Sequence, residues 1–117
     1  MTQIYKADTR INEVTHKVIK AAQDTLGDRL DKVLLYGSYA RGDFDSESDM
    51  DFLIIAHVPQ EEANARRGDI RKCLPGIDLE YDLAICLHVI GSETFYRFQN
   101  ALPFYQNVMK EGVLLSG

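Results

Sequence analysis

Five acids stand at every second position of one short stretch: Asp43, Asp45, Glu47, Asp49 and Asp51. Carboxylates packed this closely repel one another unless something cationic sits among them. The last two lead into the apolar run Phe52-Leu53-Ile54-Ile55, which places them at the start of a buried strand. A strand rises about 3.3 Å per residue and puts residues i and i+2 on one face, about 6.5 Å apart. Asp49 and Asp51 therefore project side by side, in the spacing that suits hard divalent cations with oxygen ligands. The competing reading of Asp-x-Asp is an acidic turn before a strand, since Asp and Ser are favoured turn residues.

Upstream, the apolar run Val33-Leu34-Leu35-Tyr36 delivers Gly37-Ser38-Tyr39-Ala40-Arg41-Gly42. Glycine lets the backbone approach a ligand without a Cβ in the way. Ser38 offers a hydroxyl and a helix-start amide, both suited to phosphate oxygens. Arg41, one turn on, adds a guanidinium for the same anion. Taken alone, Gly-Ser also reads as a turn with a helix N-cap, and Arg41 as an exposed helix arginine. No Lys-Ser/Thr follows, so the stretch is not a Walker P-loop. Phosphate binding here must lean on a metal.

These residues need elements to hold them. Residues from about Asp8 to Leu26 read as a helix, with Asp8 or Thr9 as cap and Ile11, Val14, Val18, Ala21, Ala22 and Leu26 at three- and four-residue steps. Lys32–Tyr36 and Asp49–Ala56 read as strands, and Gln60–Leu74 as a helix with a charged, solvated face, stopped by Pro75-Gly76. Leu79–Val89 reads as a third strand, because Leu79, Tyr81, Leu83 and Ile85 alternate with Glu80, Asp82, Ala84 and Cys86. An aspartate in mid-strand costs stability unless it is exposed, paired or on a metal. Neighbouring strands lie about 4.8 Å apart, so beside Asp49–Ala56 this strand would let Asp82 complete a three-carboxylate cup. Glu80 is the rival for that place. Cys86 and His88 read as core and strand-end residues. From Ser92 the pattern is helical, and Pro103 divides it in two. The aromatic stretch from Phe95 to Met109 is either core packing or a partner-docking surface. The expected fold is α/β: a small mixed sheet flanked by helices, with the active site at one edge of the sheet.

Composition narrows the class. A chain of 117 residues is expected to form a single domain, residues 1–117, with one core. Its net charge of −5 argues against an extended basic surface for duplex DNA or RNA. Two cysteines, Cys73 and Cys86, are too few for a disulfide scaffold, which makes a reduced cytoplasmic compartment the default. The segment Met1–Lys6 lacks a signal-peptide core, and no apolar run approaches a membrane span.

The full order is apolar strand, Gly37-Ser38, ten residues from Tyr39 to Ser48, then Asp49-Met50-Asp51 and a second apolar strand. This order resembles the signature of the DNA polymerase β-like nucleotidyltransferase superfamily. Within it, Gly-Ser-Tyr-Ala-Arg-Gly followed by Ser-Asp-Met-Asp is similar to the minimal nucleotidyltransferase (MNT) family. The resemblance covers essentially the whole chain, to the terminal turn and short strand of Glu111–Leu115. It implies nucleotidyl transfer from a nucleoside triphosphate such as ATP to an acceptor hydroxyl. Asp49 and Asp51 would hold two Mg²⁺ ions. Asp82, in its Tyr81-Asp82-Leu83 context, would hold the catalytic ion and help deprotonate the acceptor. Gly37, Ser38 and Arg41 would hold the triphosphate. Larger relatives carry an extra helical domain for the acceptor; MNT proteins obtain that element from a separate helical HEPN protein resembling a ribonuclease toxin. The resemblance thus implies a hetero-oligomeric antitoxin that AMPylates a tyrosine of its partner. Two alternatives stand beside it: a transferase modifying an aminoglycoside alcohol, and a non-catalytic antitoxin acting by occlusion.

Overall fold

The computed structural model describes residues 9–45 and 47–117; Met1–Lys6 and the Asp8 cap lie outside them. A long amphipathic helix opens the fold, α1 (Thr9–Leu26), and it buries Ile11, Val14, Val18, Ala21, Ala22 and Leu26 as the three-to-four periodicity predicts. One 3₁₀ turn at Gly27–Arg29 leads into β1 (Leu30–Tyr36). The four-residue helix α2 (Ser38–Arg41) and an acidic loop connect β1 to β2 (Met50–Ala56). The next helix is shorter than its sequence suggests. A 3₁₀ turn at Gln60–Glu62 precedes α3 (Ala63–Lys72), and Leu74 falls after its end.

The four strands form one mixed sheet in the order β3-β2-β1-β4. Strand β1 runs antiparallel to β2 and to β4 (Val113–Ser116), and β3 (Ile85–Gly91) runs parallel to β2. A parallel neighbour demands a crossover, which α3 and the short α4 (Ile77–Tyr81) supply. Both faces of the sheet are covered, which is why β2 reads as a continuous apolar run and not as an alternating one. Leu35, Phe52, Ile54 and Leu87 pack with α1, Ile70 and Ile77 on one side. Leu34, Leu53, Ile55 and Ile90 pack with Phe95 and Val108 on the other. Phe95 belongs to α5 (Ser92–Phe98) and Val108 to α6 (Pro103–Glu111), the two helices that Pro103 separates by opening the second. Each such side chain, fully buried, contributes about 1.5–3 kcal/mol from apolar area removed from water.

The third strand departs from expectation. Ile77–Tyr81 is a helix, Asp82 sits in a left-handed turn at φ 53°, and the strand begins only at Ile85. The alternation from Leu79 to Ile85 is not a sheet pattern, since Leu79 is 89% exposed. Asp78 organises the turn instead. Its carboxylate accepts from Arg71 Nη2 at 2.7 Å and from the Ile85 amide at 3.1 Å. The amide of Asp82 closes the helix on the Asp78 carbonyl. Asp82 therefore does not stand in mid-strand beside Asp51, and Glu80 lies on the helix, paired with Lys17 at 3.5 Å.

Candidate active site

The C-terminal end of β1 and the N-terminal ends of β2 and β3 meet at one end of the sheet. Tyr36 pairs with Asp51 across β1 and β2, and Asp51 pairs with Cys86 across β2 and β3. This end belongs to the central strands, so the expected placement at an edge of the sheet becomes placement at the tip of its middle.

Gly37 makes that tip possible. It adopts φ 76°, ψ −156°, a backbone region open essentially to glycine alone. A Cβ built on it would lie 2.7 Å from Asp51 Oδ2. The glycine thus lets the turn fold down onto the Asp51 carboxylate. Its carbonyl then accepts from the Ala40 and Arg41 amides, both at 3.1 Å, which winds α2. Tyr39 locks that single turn into the core, buried and stacked on Phe44 with ring centroids 4.2 Å apart. Arg41 stays exposed and Ser38 half-buried, the side chains left to meet a ligand.

The five alternating acids divide into different tasks. Asp45 shapes its own loop, accepting from the Glu47 amide at 2.9 Å and the Ser48 hydroxyl at 3.2 Å. Asp43 pairs with Arg41 at 3.2 Å, and Glu111 reaches the same guanidinium at 3.4 Å. Asp43 first and Glu111 second hold the Arg41 guanidinium above its ordinary range. Asp51 stands on β2 and Asp49 precedes that strand, which begins at Met50 and not at Asp49. Burial, then the charge of Asp49, raises the Asp51 carboxyl above its usual value, with His88 and Cys86 opposing. A carboxylate raised by burial and a neighbouring acid marks a site short of positive charge. Hard oxygen donors in that state fit a divalent cation such as Mg²⁺. Among the described residues no three His, Cys, Asp or Glu side chains gather into a metal cage. A cation on Asp49 and Asp51 would therefore draw its remaining ligands from water and phosphate, as Mg²⁺ commonly does.

Of the six expected site residues, the fold brings Gly37, Ser38, Arg41, Asp49 and Asp51 to this end of the sheet. Asp82, in the turn ahead of β3, lines one open depression with Glu47, Ser48, Asp78 and Leu83 and another with Tyr39, Phe44 and Asp45. The residues missed by sequence reasoning are Cys86, His88 and Tyr36. The Cys86 thiol donates toward Asp49 Oδ2 at 3.8 Å. Burial first, then the charges of Asp49 and Asp51, pushes that thiol up. Burial and Asp51 do the same to the Tyr36 phenol, whose ring lies 6.0 Å from His88 and 5.5 Å from Phe104. Their places beside the pair follow from strand register, which no local pattern in the sequence carries.

Residues 16–115 match the nucleotidyltransferase domain family. The chain belongs to that family. Two relatives from Methanocaldococcus jannaschii, each carrying the name "putative protein adenylyltransferase", extend the match. One is 40% identical over 64% of this chain and 74% of its own length. The other is 34% identical over 83% of this chain and 89% of its own length. The fold recurs in a chain of a toxin-antitoxin crystal structure solved with AMP-PNP, at TM-score 0.60 and 23% identity, covering 88% of this chain and 73% of that one. It recurs also in a mutant of the toxin-antitoxin MntA-HpeT, at TM-score 0.60 and 21% identity with the same coverage. The chain is thus a nucleotidyltransferase with the mixed-sheet fold of that family, as its Gly-Ser and Asp-x-Asp spacing indicated. Among the described residues no helix is long and apolar enough to cross a membrane.

Proposed function

We propose that this nucleotidyltransferase moves AMP from ATP to a tyrosine hydroxyl of a helical HEPN-type toxin, and so acts as its antitoxin. The observation that carries the reading is the Asp49/Asp51 pair beneath Gly37, because it joins a cation-seeking site to the turn that presents Ser38 and Arg41. Asp49 and Asp51 would hold divalent cations such as Mg²⁺, which would supply positive charge against the phosphate oxygens. Gly37 gives the phosphates access to the backbone, Ser38 donates its hydroxyl, and Arg41 leaves Asp43 and Glu111 to take up the β- and γ-phosphates. The acceptor oxygen attacks the α-phosphorus. The α–β bridging P–O bond breaks, pyrophosphate departs, and the hydroxyl proton passes to solvent. Asp82 sits in the turn ahead of β3, off the strand that carries Asp51.

The acceptor must be oriented, because well-placed reactants save about 7–11 kcal/mol of barrier. A docked protein carries its own hydroxyl into place. Helices α5 and α6 and the turn between them expose Tyr96, Phe98, Leu102, Phe104 and Met109, and Phe104 touches Tyr36, the neighbour of Asp51. A partner seated on this face reaches the site directly. The adenylyltransferase names of the relatives and the toxin-antitoxin neighbours favour a protein acceptor. The test is incubation with α-labelled ATP and Mg²⁺ in the presence of the co-expressed helical partner. Label on a partner tyrosine supports the proposal. Label on aminoglycosides and none on the protein overturns it, and neutralisation by the Asp49→Asn/Asp51→Asn double variant would mean occlusion without catalysis.

A further inference from the structure

Among the described residues, the β3 partner of Asp51 is a position that could bring a third ligand to the Asp49/Asp51 pair, and a cysteine occupies it. Cys86 is the parallel partner of Asp51. Partners in adjacent strands lie about 4.8 Å apart with side chains on one face, and the Cys86 sulfur comes within 3.8 Å of Asp49 Oδ2. On the opposite flank the partner of Asp51 is Tyr36, whose phenol is a poor ligand for a hard cation. His88 stands two pairs further along, opposite Leu53.

We propose that Cys86 is a specificity-determining residue that leaves this site one hard donor short, so that the divalent cation enters only together with the nucleotide. Sulfur is a soft donor, ill matched to Mg²⁺ or Mn²⁺, which favour carboxylate and water oxygens. With two carboxylates the protein supplies too few ligands to strip a hydrated ion, consistent with the lack of a three-ligand cage among the described residues. The triphosphate oxygens supply the remainder. Binding is then ordered by composition: free metal is not retained, whereas metal–nucleotide is. A carboxylate at position 86 would close the cage and convert the site into one that holds the ion beforehand. This inference rests on Asp49 and Asp51 being the cation ligands.

The experiment is a Mn²⁺ titration followed by electron paramagnetic resonance, with and without AMP-PNP. Wild type is expected to retain little Mn²⁺ alone. Cys86→Asp is expected to bind Mn²⁺ without nucleotide about tenfold more tightly or better, since ligand charge count sets affinity. Cys86→Asn, similar in shape but uncharged, is expected to stay at the wild-type level. Nucleotide-free binding by Cys86→Asp no tighter than wild type overturns the proposal. So does wild-type binding as tight without AMP-PNP as with it, an arm that holds even if the variant does not fold. Asp51→Asn separates the two claims: if it retains Mn²⁺–AMP-PNP like wild type, the ligand assignment itself fails, whatever position 86 does.

Discussion

Gly37→Ala strikes the contact on which the site depends. Two costs combine. The backbone at φ 76°, ψ −156° is nearly closed to a residue with a Cβ, a strain of about 1–3 kcal/mol. The new methyl would also meet Asp51 Oδ2 at 2.7 Å, so either the carboxylate rotates away or the turn lifts. The expected result is a stability loss of about 1–3 kcal/mol in urea denaturation, together with a loss of nucleotidyl transfer larger than that of stability. Gly68 provides the internal control. It lies inside α3 with nothing within 4 Å of a built Cβ, so Gly68→Ala should gain about 0.5–1 kcal/mol and leave transfer unchanged. Wild-type stability and transfer in Gly37→Ala would refute the close approach of the turn to Asp51.

Other outcomes follow from the same geometry. Tyr39→Ala should cost about 3–5 kcal/mol by thermal or urea unfolding, since it empties a buried aromatic site stacked on Phe44; a loss below about 1 kcal/mol would deny Tyr39 its anchoring role. Asp78→Ala should cost about 1 kcal/mol, because the Arg71 pair is half exposed while the Ile85 amide loses its acceptor. Glu111→Gln should tighten nucleotide binding by calorimetry, by freeing Arg41 of one competitor, and Arg41→Ala should weaken it by about 1–3 kcal/mol. The Asp51 carboxyl is raised in the folded protein, so folding there favours the protonated form. Metal-free wild type should therefore gain stability relative to Asp51→Asn as pH falls through the range just above the ordinary carboxylate value, and lose that gain as pH rises. A pH-independent difference between the two would contradict the shift.

What was legible in the sequence was what local physics dictates. The period of α1, the apolar β2 and the Gly37–Asp51 spacing each report on residues whose neighbours in space are neighbours in sequence. The error at Leu79–Tyr81 arose because a five-residue amphipathic helix and a strand share an apolar–polar alternation over so short a span. What decides between them is the side chain of Asp78 reaching Arg71 and the Ile85 amide, a contact that exists only in the folded chain. Cys86 was invisible for the same reason. Its place beside Asp51 is a matter of parallel register, which no local pattern encodes.

The measurement that tests the central claim most directly is transfer of labelled AMP by three single variants side by side. Asp49→Asn and Asp51→Asn should each abolish Mg²⁺-dependent transfer while keeping the fold by circular dichroism. Asp82→Asn, off the strand and outside the pair, should retain transfer. Full activity in Asp51→Asn, or loss of activity in a folded Asp82→Asn, would contradict the account.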